Sequence, residues 1–186
     1  VGKKIFSSFL LLLPVFLGLA QTSYVFQLQP KARETVSFTI VEVIDARLDQ
    51  ANCGFVPDEN TSGQQPATFA GGLEQAWTAL LPKLFKFTGE QSISLVVREF
   101  HISETNPESA YGELLTLFDF YHKKGGQYQH ILRVDDLRTT SGFKIAKSHA
   151  QNTVKIIQAA GKQLEKVLTE TRRQQSTSWW SSAQVK

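Results

Sequence analysis

Asp45 and Arg47 stand two residues apart where an alternating apolar run ends. In an extended chain, side chains two apart point the same way. A carboxylate and a guanidinium so placed can form an ion pair, cap the loop that follows, or present a charged pair to a ligand. Both are therefore candidate binding residues, with a structural role as the plainer expectation. Catalysis would need a second carboxylate or a base beside them, and none is placed there by the sequence. Trp179 and Trp180 are the other candidates. They sit together in a Ser- and Gln-rich tail without periodic apolar partners, and tryptophan is enriched among interface anchors.

Other reactive side chains point to less. Cys53 is the only cysteine, which excludes an internal disulfide and any multi-cysteine metal cluster within one chain. It adjoins Gly54 with no histidine nearby, and a thiol nucleophile needs a base. The expectation is an inert, partly buried thiol. His101, His122, His130 and His149 are scattered, with no pair at metal-binding i, i+4 spacing. His130 reads as a half-buried sheet residue. Asp45, Asp49, Asn52, Asp58, Glu59 and Asn60 offer oxygen ligands of the kind calcium takes. The alternate-ligand pattern with a central glycine is missing, so these read as a solvated acidic loop. Asn60-Thr61-Ser62 fits the glycosylation sequon, which matters only in a eukaryotic secretory pathway. There is no glycine-rich phosphate loop and no serine nucleophile elbow. No catalytic residue, cofactor or metal is expected.

The elements that must position these residues follow from periodicity. Val36, Phe38 and Ile40 alternate with Ser37 and Thr39, the period of a half-buried strand, and Val41, Val43 and Ile44 continue it to Asp45. Residues 46–68 read as one long polar loop, uncommon in a compact domain and usually functional or mobile. Leu73, Trp77, Leu80, Leu81 and Leu84 predict a first helix. Pro82 should kink it or leave a last turn held by packing, and Gly89 should close the segment. Ile93 to Ile102 predict a second strand, with a turn at Asn106-Pro107. Leu115 and Leu117 alternate with Leu114, Thr116, Phe118 and Phe120 in a third strand that reaches Asp119. Lys123-Lys124-Gly125-Gly126 predicts a hairpin turn, and Tyr128, His130, Leu132 and Val134 a fourth strand. Val154, Ile157, Gly161, Leu164 and Leu168 mark the second helix, with Ser148 as its cap. The expected fold is α+β: a two-layer sandwich in the order β-α-β-β-β-α. Its sheet is four-stranded and mainly antiparallel, with both helices on one face.

At 186 residues, 41% hydrophobic and 20% charged, the chain has globular composition. Disordered, collagen-like and disulfide-dense classes are excluded. Lys3 and Lys4 precede a 16-residue apolar run ending Gly18-Leu19-Ala20. A positive start, an apolar centre and a small-residue exit describe a secretory signal peptide over residues 1–20. The run is shorter than the ~20 residues a spanning helix needs. Gln21, not cysteine, follows the expected cut, so acylation there is excluded and no stable membrane anchor is expected after cleavage; the alternative is a retained anchor, whose apolar character Tyr24, Val25, Phe26 and Leu28 extend. The domain plan is then an extended lead-in at 21–34, one α+β domain at 35–173 and a flexible tail at 174–186. Without Lys3 and Lys4 the formal charge of +3 falls to 18 basic against 17 acidic residues. Only the short pairs Lys123-Lys124 and Arg172-Arg173 remain, not the basic stripe of a nucleic-acid binder.

The run Val41-Glu42-Val43-Ile44-Asp45-Ala46-Arg47, with Gly54 after it, resembles the opening of YajG-type bacterial envelope lipoproteins. There a strand ends in Asp-x-Arg before a glycine-bearing loop. The helix that follows, then Leu95-Val96-Val97-Arg98-Glu99-Phe100, a strand pair and a closing helix, are similar in order over about residues 35–168. The resemblance implies a non-enzymatic envelope role. This chain departs from the family in lacking the acylated cysteine.

Three functions are distinguishable. The first is an exported, non-catalytic periplasmic or extracellular protein that binds another envelope protein or polymer; a flat apolar surface patch would favour it. The second is a secreted small-ligand binder using residues 46–68 as a lid; a pocket lined by Phe118, Phe120 and Tyr128 would favour it. The third is a hydrolase, which a histidine against Cys53 or paired acids in a cleft would favour.

Overall fold

The computed structural model describes residues 23–30, 32–58, 60–61, 63–105, 111–142, 145–171 and 180–181. The expected signal peptide, the Asn106-Pro107 turn, Trp179 and nearly all of the tail lie outside them. In chain order the elements are β1 (Tyr24–Phe26), β2 (Glu34–Asp45), β3 (Gly54–Pro57), β4 (Gln64–Phe69) and α1 (Gly72–Leu84). They continue with β5 (Phe85–Glu104), β6 (Tyr111–Lys124), β7 (Gln127–Ser141), α2 (Ile145–Thr171) and β8 (Trp180–Ser181).

The architecture is α+β, but the expected four-stranded sheet is corrected. Among the described residues the sheet has eight strands in the order β1-β4-β3-β5-β6-β7-β8, with β2 also on β5. It is mixed: β2 and β3 run parallel to β5, whereas β5, β6 and β7 form an antiparallel meander. Of the four extra strands, β1 lies in the expected lead-in, β8 in the expected tail, and two come from residues 46–68, which are not one loop. β3 and β4 pair antiparallel there, β4 pairs with β1, and β3 with the end of β5. Four and six residues carrying Pro57 and Pro66 are too short and polar for alternation to register. Their strand state comes from pairing with distant partners. Gly54 makes the junction possible, with φ of 108° and its Cα so close to β5 that a Cβ would sit 1.9 Å from the Ile102 oxygen.

Two further boundaries move. α1 passes through Pro82 to Leu84 and leads directly into the 20-residue β5. Its last turn is held by buried Leu80, Leu81 and Leu84, and the Phe85 N–H donates to the Leu81 carbonyl. Gly89 does not close the segment: it lies inside β5 at a register shift against β2. The strands are so close there that a Cβ would meet the Ser37 carbonyl at 1.5 Å. α2 begins at Ile145, so Ser148 is within the helix rather than its cap.

Both helices cover one face of the sheet. Val36, Phe38, Leu95, Val97, Phe118 and Phe120 join Trp77, Leu84, Ile157 and Leu164 in one buried cluster. Trp77, fully buried, meets Phe100 and Phe118 edge-on, with centroids 5.8 and 5.9 Å away. Such pairs add about 0.5–1.5 kcal/mol each beyond area burial. Gly161 leaves the notch in α2 that the Phe85 ring occupies. No helix among the described residues is long and apolar enough to cross a membrane.

Candidate functional site

The face of the sheet opposite the helices carries the polar chemistry. Residues opposite each other in neighbouring strands point to the same side. Register therefore gathers Glu42, Ser94, Tyr121 and His130 in one row across β2, β5, β6 and β7. Asp119 and Arg133 stand opposite each other in the next row, beside Val96. Arg98 bulges between Val97 and Glu99 and reaches the same carboxylate.

Asp119 is fully buried and is the hub. Arg133 grips it with two bonds, Nε to Oδ1 at 2.8 Å and Nη2 to Oδ2 at 3.1 Å. Arg98 Nε donates to Oδ2 at 3.1 Å, and His130 Nε2 lies 3.3 Å from Oδ1. Arg98 Nη2 also donates to the Tyr121 hydroxyl at 3.2 Å. Burial alone would raise the Asp119 pKa, but the bonds from Arg133 and Arg98 outweigh it and hold the carboxyl below its usual range. Beside it, Glu42 accepts from Ser94 Oγ and Lys123 Nζ, each at 2.5 Å, and from the Tyr128 hydroxyl at 2.8 Å. Burial raises its pKa too, and again these donors win and lower it. Burial and the Glu42 bond push the Tyr128 hydroxyl upward. Val96, Tyr121 and Tyr128 form a small second core beneath these groups.

Such a network neutralises charge and fixes side chains. Both carboxylates are engaged by several donors, which hold their pKa values below the usual range. Further along the same face the chemistry changes. Leu117 lies between Glu99 and Asp135, and Leu115 between His101 and Leu137. Leu137 is 56% exposed, and Phe55, opposite Ser103 on β3, is 41% exposed.

Asp45 and Arg47 do form an ion pair, Nη2 to Oδ2 at 2.8 Å, with side chains only 10% and 5% exposed. Arg47 Nη1 donates to the Asn52 carbonyl at 2.8 Å and to Cys53 Sγ at 3.4 Å. The pair thus ties the end of β2 to the 46–53 segment. Cys53 is buried, and its backbone bridges β4 and β5 through Ala67 and Ile102. Burial pushes its thiol up to about 11, with Arg47 opposing only in part. Trp180 is placed by its backbone opposite Tyr128 on the edge of β7.

The described acidic residues of the 45–60 stretch do not converge, and Glu59 lies outside the described residues. Asp45 serves Arg47, Asp49 accepts from Ala51 and Asn52, and Asp58 accepts from Asn60 and Thr61 at the β3–β4 turn. Among the described residues no group of three His, Cys, Asp or Glu side chains could hold a metal ion. His149 is fully buried on the helical side, its Nε2 3.3 Å from Glu104 Oε1.

Sequence reasoning missed Asp119 and Glu42 as centres. The available trace was a charged residue between Phe118 and Phe120 in a strand, whose alternation with them puts it on the opposite face.

No protein-family model matches the chain, and no curated protein matches it. Among similar solved structures is one described as an uncharacterized protein, at 14% identity and a TM-score of 0.41. The match covers 77% of this chain and 99% of the other. A likeness at that score carries no argument about fold or function.

Proposed function

We propose that this protein is a non-catalytic binding module, exported to the cell envelope, that holds another envelope protein or polymer on the sheet face opposite its two helices, which no described element covers. The observation that carries the reading is that face itself. Among the described residues the helices occupy one side, while the other presents the exposed Leu137 and Phe55 and the half-buried Leu115 and Leu117 beside a rigid ion network. Exposed apolar surface rimmed by polar residues marks interaction sites. Export rests on the Lys3-Lys4 start and apolar run of residues 1–20, and the likeness to YajG-type envelope proteins points the same way.

The competing readings find less support. Phe118 and Phe120 belong to the helix-covered core and Tyr128 to the opposite face, so the three do not line one pocket. Within residues 46–68, β3 and β4 are paired into the sheet. The described partner of the Cys53 thiol is Arg47, not a histidine.

The test is affinity capture from envelope extract by tagged protein and by Leu137→Arg. Leu137 is exposed, so the variant should keep its urea midpoint. A partner recovered by the parent and lost with the variant is the expected result; capture indifferent to Leu137→Arg would refute the reading. Protein isolated from its native host should begin at Gln21, and a chain retaining residues 5–20 would remove the argument for export by cleavage.

A further inference from the structure

The two ends of the uncovered face differ in how their carboxylates are matched. Toward the β6–β7 turn, Glu42 has Lys123, and Asp119 has Arg98 and Arg133. Toward the other end stand Glu99, Glu113 and Asp135: among the described residues none of them has an ion-pair partner within 4.0 Å, and only Asp135 feels a cation, the Arg133 that Asp119 already holds. Glu113 accepts only the Tyr111 hydroxyl, at 2.9 Å. Register sets these acids around the leucines. Glu99, Leu117 and Asp135 form one row, His101, Leu115 and Leu137 the next, and Ser103, Glu113 and Thr139 the third. The row of exposed His101, half-buried Leu115 and exposed Leu137 is flanked by carboxylates on both sides.

Such a surface sets conditions on what covers it. An apolar partner alone would strip water from carboxylates and leave them unmatched, which is costly. An acidic partner would add like-charge repulsion. A Lys or Arg side chain meets both needs, because its methylene stem lies along apolar surface while its charged head stays at the rim. Alternating apolar side chains would then fill the space over the leucines.

We infer that the occupant of this end of the face is a polypeptide segment in which Lys or Arg alternates with apolar side chains. It seats over Leu115, Leu117 and Leu137 with its charges on Glu99, Glu113 and Asp135. The inference rests on the reading that the uncovered face is the binding surface, and it adds the partner's chemistry.

The probe is a short fluorescein-labelled peptide alternating Lys and Leu, titrated with the protein and read by fluorescence anisotropy, with a Glu–Leu peptide as control. Saturable binding of the Lys–Leu peptide is expected, weakening as salt rises. The triple variant Glu99→Gln/Glu113→Gln/Asp135→Asn should bind about tenfold more weakly, and Leu137→Arg more weakly still. All three carboxylates lie on the solvent face, so the triple variant should keep its urea midpoint; Asp135→Asn alone repeats the test if it does not. Failure to bind the Lys–Leu peptide, equal binding of the Glu–Leu peptide, or affinity untouched by the triple variant would overturn the inference. A dimer in sedimentation that Leu137→Arg dissociates would also overturn it, by giving the face to a second copy. Capture of the native partner separates the two levels. Loss with Leu137→Arg but not with the triple variant keeps the face and removes the basic segment. Capture unchanged by either variant removes the face itself.

Discussion

Replacing Asp119 by alanine removes a fully buried carboxylate that faces Arg98, Arg133 and His130. The cost depends on which partners can return to water. The Arg133 side chain is 58% exposed and recovers its hydration, so its share lies on the surface scale of about 0–1 kcal/mol. The Arg98 side chain is only 25% exposed, and Tyr121 beside it is buried. A hydrogen bond to a charged group in that setting contributes about 1.5–3 kcal/mol. The expected loss for Asp119→Ala is therefore about 2–4 kcal/mol. Asp119→Asn keeps the shape and one acceptor and should cost about half as much. Urea unfolding at neutral pH measures it, as a fall in midpoint of about 1 M or more at unchanged slope. The pH dependence is a second readout. The Asp119 carboxyl is held below its usual range in the folded protein. Its stabilisation is thus present above the unfolded carboxylate pKa and lost as pH falls through the lowered folded value. The parent and Asp119→Asn curves should converge in acid. A loss under about 0.5 kcal/mol, the ordinary size for a surface change, or a gap that persists in acid would refute the reasoning.

Three other outcomes follow from the same structure. Leu164 is fully buried between α2 and the sheet, so Leu164→Ala should lower unfolding free energy by about 2–5 kcal/mol in denaturant melts. Asp45→Ala should cost about 1–3 kcal/mol, because it leaves the buried Arg47 guanidinium with only the carbonyls of Gln50 and Asn52 and the Cys53 sulfur. Partner capture should survive in the folded variant, and lost capture at unchanged stability would make Asp45 a contact residue. The Cys53 thiol, buried and raised to about 11, should resist iodoacetamide at pH 8 in the native state and react once unfolded. Rapid native alkylation would contradict its burial.

Long elements with one buried face are legible because burial imposes a period. Val36, Phe38 and Ile40 mark β2, and Val154, Ile157, Leu164 and Leu168 mark α2, without reference to the rest of the chain. β3 and β4 are not legible, since Gly54, Pro57 and Pro66 have loop chemistry and become strands only by pairing with β5 and each other. Gly89 reads as a terminator because close approach to Ser37 is a property of two strands, not of one segment. The candidate site divides the same way. Asp45 and Arg47 are two apart, so spacing alone reveals the pair. Asp119 finds Arg98 and Arg133 at separations of 21 and 14 residues, and no local pattern links them. The leucine and carboxylate rows of the outer face likewise exist only through the β5–β6–β7 register.

The parallel pairing of β2 with β5 has a kinetic consequence. Glu42 and Ser94 are 52 residues apart in the chain yet in contact, whereas β6 and β7 are joined by the two residues Gly125 and Gly126. Closing a long loop costs more chain entropy before any contact repays it, and hairpins form in about 1–10 μs. The meander is therefore the natural nucleus, and β2 docks onto an edge that already exists. Destabilising changes in β6, such as Phe118→Leu, should slow folding. Changes in β2, such as Val43→Ala, should leave the folding rate nearly unchanged and hasten unfolding. On that order of events, β5 presents unpaired backbone N–H and C=O groups until β2 docks. Slower docking of β2 should then increase loss to aggregation during refolding, because an open strand edge is a template for pairing with another chain.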